Sequence, residues 1–303
     1  MELEGRNWRC VWQARSHLGE GTVWDHRDGC VYWLDVEGPV IRWLHLETGA
    51  QKSWVPPASI SALAVRAAGG FIASTAKGFA VVNPAAGQFT PFVEPRANPS
   101  AARLNDGALD RQGRYWSGSV DNIITGGDPS GWSKGTAASL YRLDASGAAS
   151  VADTGFLATN GPAVSADGRT LYFNDSLART TYAYDLSADG LLGSRRVFLS
   201  YDETYGFPDG MTADSENCIW IAFFQDRYLR RFAPDGALVS KHELPVKQGT
   251  RPAFAGPKLD RLFISSATLS FKDQDYIDQP LAGSLFEIFE SGARGVPTVP
   301  FGG

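Results

Sequence analysis

Four short stretches each set an oxygen-bearing side chain beside a glycine, just before an apolar run. They are Glu20-Gly21-Thr22-Val23, Asn105-Asp106-Gly107-Ala108, Asn160-Gly161-Pro162-Ala163 and Asp209-Gly210-Met211-Thr212. Carboxylate and amide oxygens without Cys or His favour a hard cation such as Ca²⁺, Mg²⁺ or Mn²⁺, with Zn²⁺ also accommodated. Glu20 and Asp209 together balance a divalent charge, and Asn160 adds a neutral oxygen. Three protein ligands leave positions for water and substrate, as a catalytic metal requires. Arg103 lies two residues before Asn105 and shares a face with it in an extended segment, where its planar fork suits substrate oxygens. Asp106 fits either a supporting partner or a turn residue, and Asp175 reads better as a strand-end cap than as a channel group. Taken singly, an Asx-Gly or Glu-Gly pair is an ordinary turn. Four of them in phase with a repeat point to one shared site and to metal-dependent hydrolysis.

The repeat is what must position them. About seven or eight residues after each stretch comes a turn, such as Arg27-Asp28-Gly29 or Ala166-Asp167-Gly168, and then a second apolar run. These second runs centre near Trp33, Ile72, Trp116, Tyr172, Trp220 and Phe263, at gaps of roughly 40 to 55 residues, the range of propeller blades. An alternating segment and a polar-Gly turn follow each run, as in Ile41–Leu46 before Gly49 and Leu229–Phe232 before Gly236. Period two with turn punctuation means antiparallel strands. The expected fold is all-β: a six-bladed β-propeller, four antiparallel strands per blade, forming one domain over residues 1–303. The strand Trp8–Trp12 is expected to close the ring as the outer strand of the last blade. In such a ring the first strand of each blade lines the channel, and the residue just before it lies at the mouth. There the second unit offers Ser61 and the sixth about Pro252, with Arg251 beside it. The segment from about Asp121 to Thr136 reads as a long loop, and its Gly131-Trp132-Ser133-Lys134-Gly135 motif lacks the strand-to-helix elbow a nucleophilic serine needs.

Composition narrows the function class. With 43% hydrophobic and 20% charged residues, the chain of 303 residues can bury a core. A net charge of -5 with no basic stripe argues against nucleic acid and against anionic membranes. The charged start Met1–Arg6 lacks a signal-peptide core, and no apolar run spans a bilayer, so a cytoplasmic location is expected. Cys10, Cys30 and Cys218 are scattered and odd in number, which reads as buried thiols rather than disulfides or a metal site.

Five motifs in this order resemble the SMP-30/gluconolactonase/regucalcin-like family over about residues 10 to 290: Leu18–Trp24, Arg103–Gly107, Thr159–Pro162, Pro208–Met211 and Pro280–Phe286. The chain is similar to bacterial sugar lactonases such as xylonolactonases. The resemblance implies a metal held by Glu20, Asn160 and Asp209, with Arg103 and Asn105 contacting substrate. Thr22 stands where the family usually has Pro, and Pro162 where many members have Leu. The expected reaction opens a sugar (aldono-)lactone to the aldonic acid. One divalent ion (Ca²⁺, Mg²⁺, Mn²⁺, Zn²⁺ or Fe²⁺) would polarise the carbonyl and activate water. Asp209 is the expected general base, with a metal hydroxide as the rival. The alternatives are a metal-dependent phosphotriesterase-like hydrolase and a non-catalytic metal-binding propeller. The expected partner is a small-molecule sugar lactone, and the expected state a monomer or weak homo-oligomer.

Overall fold

The computed structural model describes residues 4–97, 99–121 and 138–303. Apart from Asp121, the expected loop and its serine motif therefore lie outside the described residues. Strand β1 spans Trp8–Trp12. Blade 1 then comprises β2 Gly19–Asp25, β3 Cys30–Asp35, β4 Val40–His45 and β5 Gln51–Trp54. Blade 2 comprises β6 Ile60–Val65, β7 Phe71–Thr75, β8 Gly78–Asn83 and β9 Gln88–Val93. Blade 3 is built from β10 Ala102–Leu109, β11 Tyr115–Asp121, β12 Ala138–Leu143 and β13 Ala149–Phe156. Blade 4 holds β14 Thr159–Val164, β15 Thr170–Asp175, β16 Thr180–Asp185 and β17 Arg196–Ser200. Blade 5 holds β18 Phe207–Ala213, β19 Ile219–Phe224, β20 Tyr228–Phe232 and β21 Leu238–Glu243. Blade 6 is β22 Gly249–Ala255, β23 Arg261–Ser266 and β24 Leu285–Ile288, with a short helix α1, Asp273–Asp278, before β24.

Among the described residues these strands form six four-stranded antiparallel sheets, the six-bladed propeller expected from the repeat. The sixth sheet runs β22-β23-β24-β1, so the N-terminal strand does close the ring. Trp8 pairs with Ile288 and Arg9 with Glu287. Arg9 and Arg261 both bind the Glu287 carboxylate, at 2.6 Å each, so one acid ties the two ends of the chain together.

Second strands are buried along almost their whole length, whereas β5, β9, β17 and β21 are largely exposed. That is why the second strands read as continuous apolar runs: each has a neighbouring blade on both faces. The side chains of Trp33, Trp116 and Trp220 are fully buried. At about 25 cal/mol per Å², covering a side chain of roughly 200 Å² contributes on the order of 5 kcal/mol before entropy. The apolar side chains divide into six clusters among the described residues, one for each seam between adjacent blades. Two of the tryptophans also carry a polar anchor: Trp116 Nε1 donates to Asp110 at 3.0 Å and Trp220 Nε1 to Asp214 at 2.9 Å. The three cysteines are free and buried. No helix among the described residues is long and apolar enough to cross a membrane.

Candidate active site

Each inner strand carries a register shift at the same height. The breaks fall between Glu20 and Val23, Ile60 and Ala62, Leu104 and Gly107, Asn160 and Ala163, Pro208 and Met211, and Gly249 and Pro252. Bulges of this kind bend the strand and re-aim side chains. The candidate residues therefore sit within the first strand of each blade, at its bulge, rather than just before it as expected. Their phase also differs by one residue. Glu20 and Asn160 are the last paired residues before the bulge, whereas Asn105 and Asp209 fall inside it. The repeat in sequence thus hides two positions that looked like one. The difference is taken up by glycines in the left-handed region after Glu20 and Asn160: Gly21 at φ 61° and Gly161 at φ 39°. A Cβ on Gly161 would lie 2.6 Å from the Met211 amide of the next blade, so this position also needs the space.

The backbone at or beside each candidate residue is held by a side chain from an adjacent blade. Thr250 of blade 6 donates to Gly19 O at 2.6 Å, next to Glu20. Ser61 of blade 2 donates to Asn105 O at 3.0 Å, so this position supplies a clamp rather than a ligand. Asn105 of blade 3 donates to Thr159 O at 2.8 Å, next to Asn160. Asn174 of blade 4 donates to Asp209 O at 2.6 Å, and Ser176 to Pro208 O at 2.6 Å. Inner strands of successive blades are in mutual contact around the axis, so these clamps fix one ring.

At the ring's first-strand entrance, Arg103, Asn105 and Asn160 form a half-buried chain. Arg103 Nη1 donates to Asn105 Oδ1 at 2.8 Å, and Asn105 Nδ2 donates to Asn160 Oδ1 at 3.1 Å. Asn160 Nδ2 continues to Ser176 Oγ at 3.2 Å. Glu20 and Asp209 are buried, at 8% and 5% exposure. Among the described residues no side chain donates a hydrogen bond to either carboxylate; the Gly21 amide donates to Glu20 at 3.2 Å, and the Gly210 amide acts on Asp209. Burial, and then the charges of Asp209 and Asp106, push the Glu20 carboxyl well above the usual range. Burial and the Asp106 charge do the same to Asp209, against the opposing charge of Arg251. Burial lowers the Arg103 guanidinium, opposed by Glu37 and Glu20.

Two residues at this level carried little or no assignment from sequence. Asp106 is 2% exposed and Arg251 8% exposed, and they form an ion pair at 2.5 Å. They come from blades 3 and 6, on opposite sides of the ring, so the pair crosses the channel. Asp106 is thus a supporting partner as well as a bulge residue. Arg251 was visible only as the neighbour of Pro252. Asp175, by contrast, accepts the amides of Leu157 and Ala158 at 2.9 and 3.1 Å, the expected capping role. Beyond the Asp106–Arg251 pair, toward the far ends of the inner strands, lies a cavity of about 420 Å³ bordered by Trp24, His26, Arg111 and Phe254. None of Glu20, Arg103, Asn105, Asn160 or Asp209 lines it. The candidate site is therefore at the opposite end of the channel from this cavity.

Among the described residues no three His, Cys, Asp or Glu side chains come together as a metal cluster. The donor set at the mouth is instead two carboxylates and an amide. An all-oxygen set that carries minus two once both carboxyls are ionised, and in which the buried carboxylates lack side-chain donors, fits a hard divalent cation.

Known proteins extend this picture. The chain is 29% identical to 6-deoxy-6-sulfogluconolactonase of Pseudomonas putida over 281 residues, 92% of this chain and 93% of that protein. It is 30% identical to a pentonolactonase of Haloferax volcanii over 294 residues, 95% of each. A crystal structure of regucalcin from Agrobacterium tumefaciens, described as a calcium-binding protein, matches at a TM-score of 0.88 and 26% identity, covering 96% of both chains. The profile of the family described as SMP-30/Gluconolactonase/LRE-like region matches residues 18–268. The chain belongs to the SMP-30/gluconolactonase/LRE-like family.

Proposed function

We propose that this protein hydrolyses a sugar lactone to its hydroxy acid, with one divalent cation held by Glu20, Asn160 and Asp209. One observation carries the reading: two buried carboxylates without side-chain donors adjoin a half-buried Arg103-Asn105-Asn160 chain at one channel mouth. The lactonase names of the two relatives support the substrate class. Bound there, the cation would supply Lewis-acid polarisation of the ester carbonyl and a lower pKa for water.

The protein's own groups do the rest. Arg103 presents a fork of donors from a site where burial strengthens each hydrogen bond, so it orients the hydroxyl and ring oxygens of the sugar. Asn105 has its amide anchored on Asn160 and Thr159, which fixes the direction in which the Arg103–Asn105 pair meets substrate. Asp209 takes the proton of the attacking water as the new C–O bond forms at the acyl carbon. The ring C–O bond breaks, and that proton passes to the leaving alkoxide. The product keeps all the substrate's atoms plus one water.

The test is acid release from xylono-, arabinono-, galactono- and gluconolactone by chelator-treated protein, with and without Mg²⁺, Mn²⁺, Ca²⁺, Zn²⁺ or Fe²⁺. Cation-restored hydrolysis of at least one lactone is expected. A folded protein inactive on all of them with every cation overturns the reading.

A further inference from the structure

The Asp106–Arg251 pair does more than fill the channel. Asp106 accepts hydrogen bonds from Gly107 N at 2.8 Å and from Arg251 Nη1 of blade 6, and the Gly161 amide of blade 4 acts on its carboxylate. Arg251 also donates to Gly107 O at 3.3 Å. Its side chain passes so close to Gly210 that a Cβ there would lie 2.7 Å from Arg251 Cδ. The pair therefore touches the bulges of blades 3, 4, 5 and 6 beside Asn105, Asn160 and Asp209. It also borders the far cavity, so it lies between that cavity and the carboxylates at the mouth.

Charge gives the arrangement a second consequence. Three carboxylates, Glu20, Asp209 and Asp106, interact around the axis with the guanidinium of Arg251, and Glu20 also feels that of Arg103. With Asp106 and Arg251 cancelling each other, the carboxylate charge left facing a cation is that of Glu20 and Asp209, while Arg103 stands at the mouth beside Glu20. We propose that Asp106 and Arg251 are a positioning pair, which sets the separation of the inner-strand bulges and holds the uncompensated carboxylate charge presented to the cation at that of Glu20 and Asp209. This rests on the cation reading of the site given above.

A purely structural pair and this one differ in sign. Asp106→Asn leaves Arg251 unopposed beside the carboxylates and repels a cation. Removing Arg251 as well restores the charge balance. The experiment is calorimetric titration of Mn²⁺ into chelator-treated wild type, Asp106→Asn, Arg251→Gln and the double variant, with a melting curve for each. Asp106→Asn is expected to weaken Mn²⁺ binding by about 10- to 100-fold. The double variant is expected to recover most of that loss, despite losing more contacts. Arg251→Gln is expected to weaken binding less than Asp106→Asn or to tighten it. Should Arg251→Gln fail to fold with Asp106 unpaired, the comparison of Asp106→Asn with the double variant decides alone. Losses that are equal in the single variants and larger in the double variant overturn the inference while leaving the cation site intact. A wild-type protein that takes up no Mn²⁺ overturns the cation reading and this inference with it.

Discussion

Asn105 and Asn160, from adjacent blades, are joined through their amides, Nδ2 of the first donating to Oδ1 of the second at 3.1 Å. The same Nδ2 donates to Thr159 O at 2.8 Å, so one side chain braces both the backbone and the side chain of the neighbouring bulge. A residue assigned to substrate is thereby also a support for a residue assigned to the cation. Asn105→Ala removes both bonds and the acceptor for Arg103. Its kcat/KM on the preferred lactone should fall by about 10- to 100-fold, or roughly 1.4–2.7 kcal/mol of transition-state stabilisation. Because Asn160 loses its brace, Mn²⁺ affinity should fall as well. Steady-state kinetics with a cation titration checks this, and an effect on KM alone would assign Asn105 to substrate only.

Asp209 and Glu20 show the opposition between stability and function. Both are buried, both are pushed up by burial and by neighbouring carboxylates, and neither has a side-chain donor among the described residues. Without a cation, such an arrangement costs stability. Asp209→Asn keeps the shape and removes one charge. Turnover should drop by about 10²- to 10⁴-fold, the range for losing a general base. The chelator-treated variant should nevertheless melt about 2–4 °C above chelator-treated wild type, corresponding to roughly 1 kcal/mol. Scanning calorimetry beside an activity assay tests both halves. An active variant sinks the catalytic assignment, and a variant that melts lower sinks the account of the buried charges.

Much of the ring was legible in sequence for a physical reason. Trp33, Trp116 and Trp220 lie on strands with a blade against each face, so no alternation dilutes the apolar signal and the repeat shows through. The closing strand was legible because Trp8–Trp12 had apolar residues and no partner within its own unit. Asp106–Arg251 was not legible, because the partners are 145 residues apart and meet only when the ring closes. The one-residue offset between Glu20 and Asp209 was hidden for a related reason. Both precede a glycine, but the bulge lets one be paired and the other not, and pairing is a property of two strands. Ser61 likewise reads as a gap in the ligand pattern until its hydroxyl is seen holding Asn105 O.

Glu287 should make ring closure sensitive to acid. Burial alone would raise its carboxyl, but hydrogen bonds from Arg261 and Arg9 outweigh that and hold it below the usual range. A carboxyl with a lowered folded-state pKa contributes stability that is present above its unfolded value. That stability is lost as the pH falls through the folded value. The contribution should therefore be complete at pH 6 and fade below about 4.5, the ordinary glutamate value. Glu287→Gln should melt below wild type at pH 6, with the gap closing as acid is added. Melting curves across that range test it, and a gap independent of pH would mean that the loss is one of packing and not of charge.

The C-terminal segment offers a control at the other end of the channel. It runs beneath the face where the inner strands finish: Ser215 N donates to Arg294 O, Gly295 N to Leu259 O, and Arg111 Nη1 to Pro297 O at 3.2 Å. It ends by pairing with blade 2, where Phe301 N donates to Val65 O at 2.9 Å and Ala67 N to Phe301 O at 2.8 Å. The Phe301 ring is fully buried with Leu104, Tyr115 and Leu143, in the seam between blades 2 and 3. Phe301→Ala should therefore cost about 3–5 kcal/mol in urea unfolding, the usual range for emptying such a site. The cavity and the Asp106–Arg251 pair lie between this segment and the mouth carboxylates. The folded variant should bind Mn²⁺ and turn over lactone within about twofold of wild type, as expected for distant, unshared sites. A large loss of Mn²⁺ affinity in folded Phe301→Ala would instead show that the seam between blades 2 and 3 transmits strain along β10 to Asn105, and that the two ends of the channel are coupled.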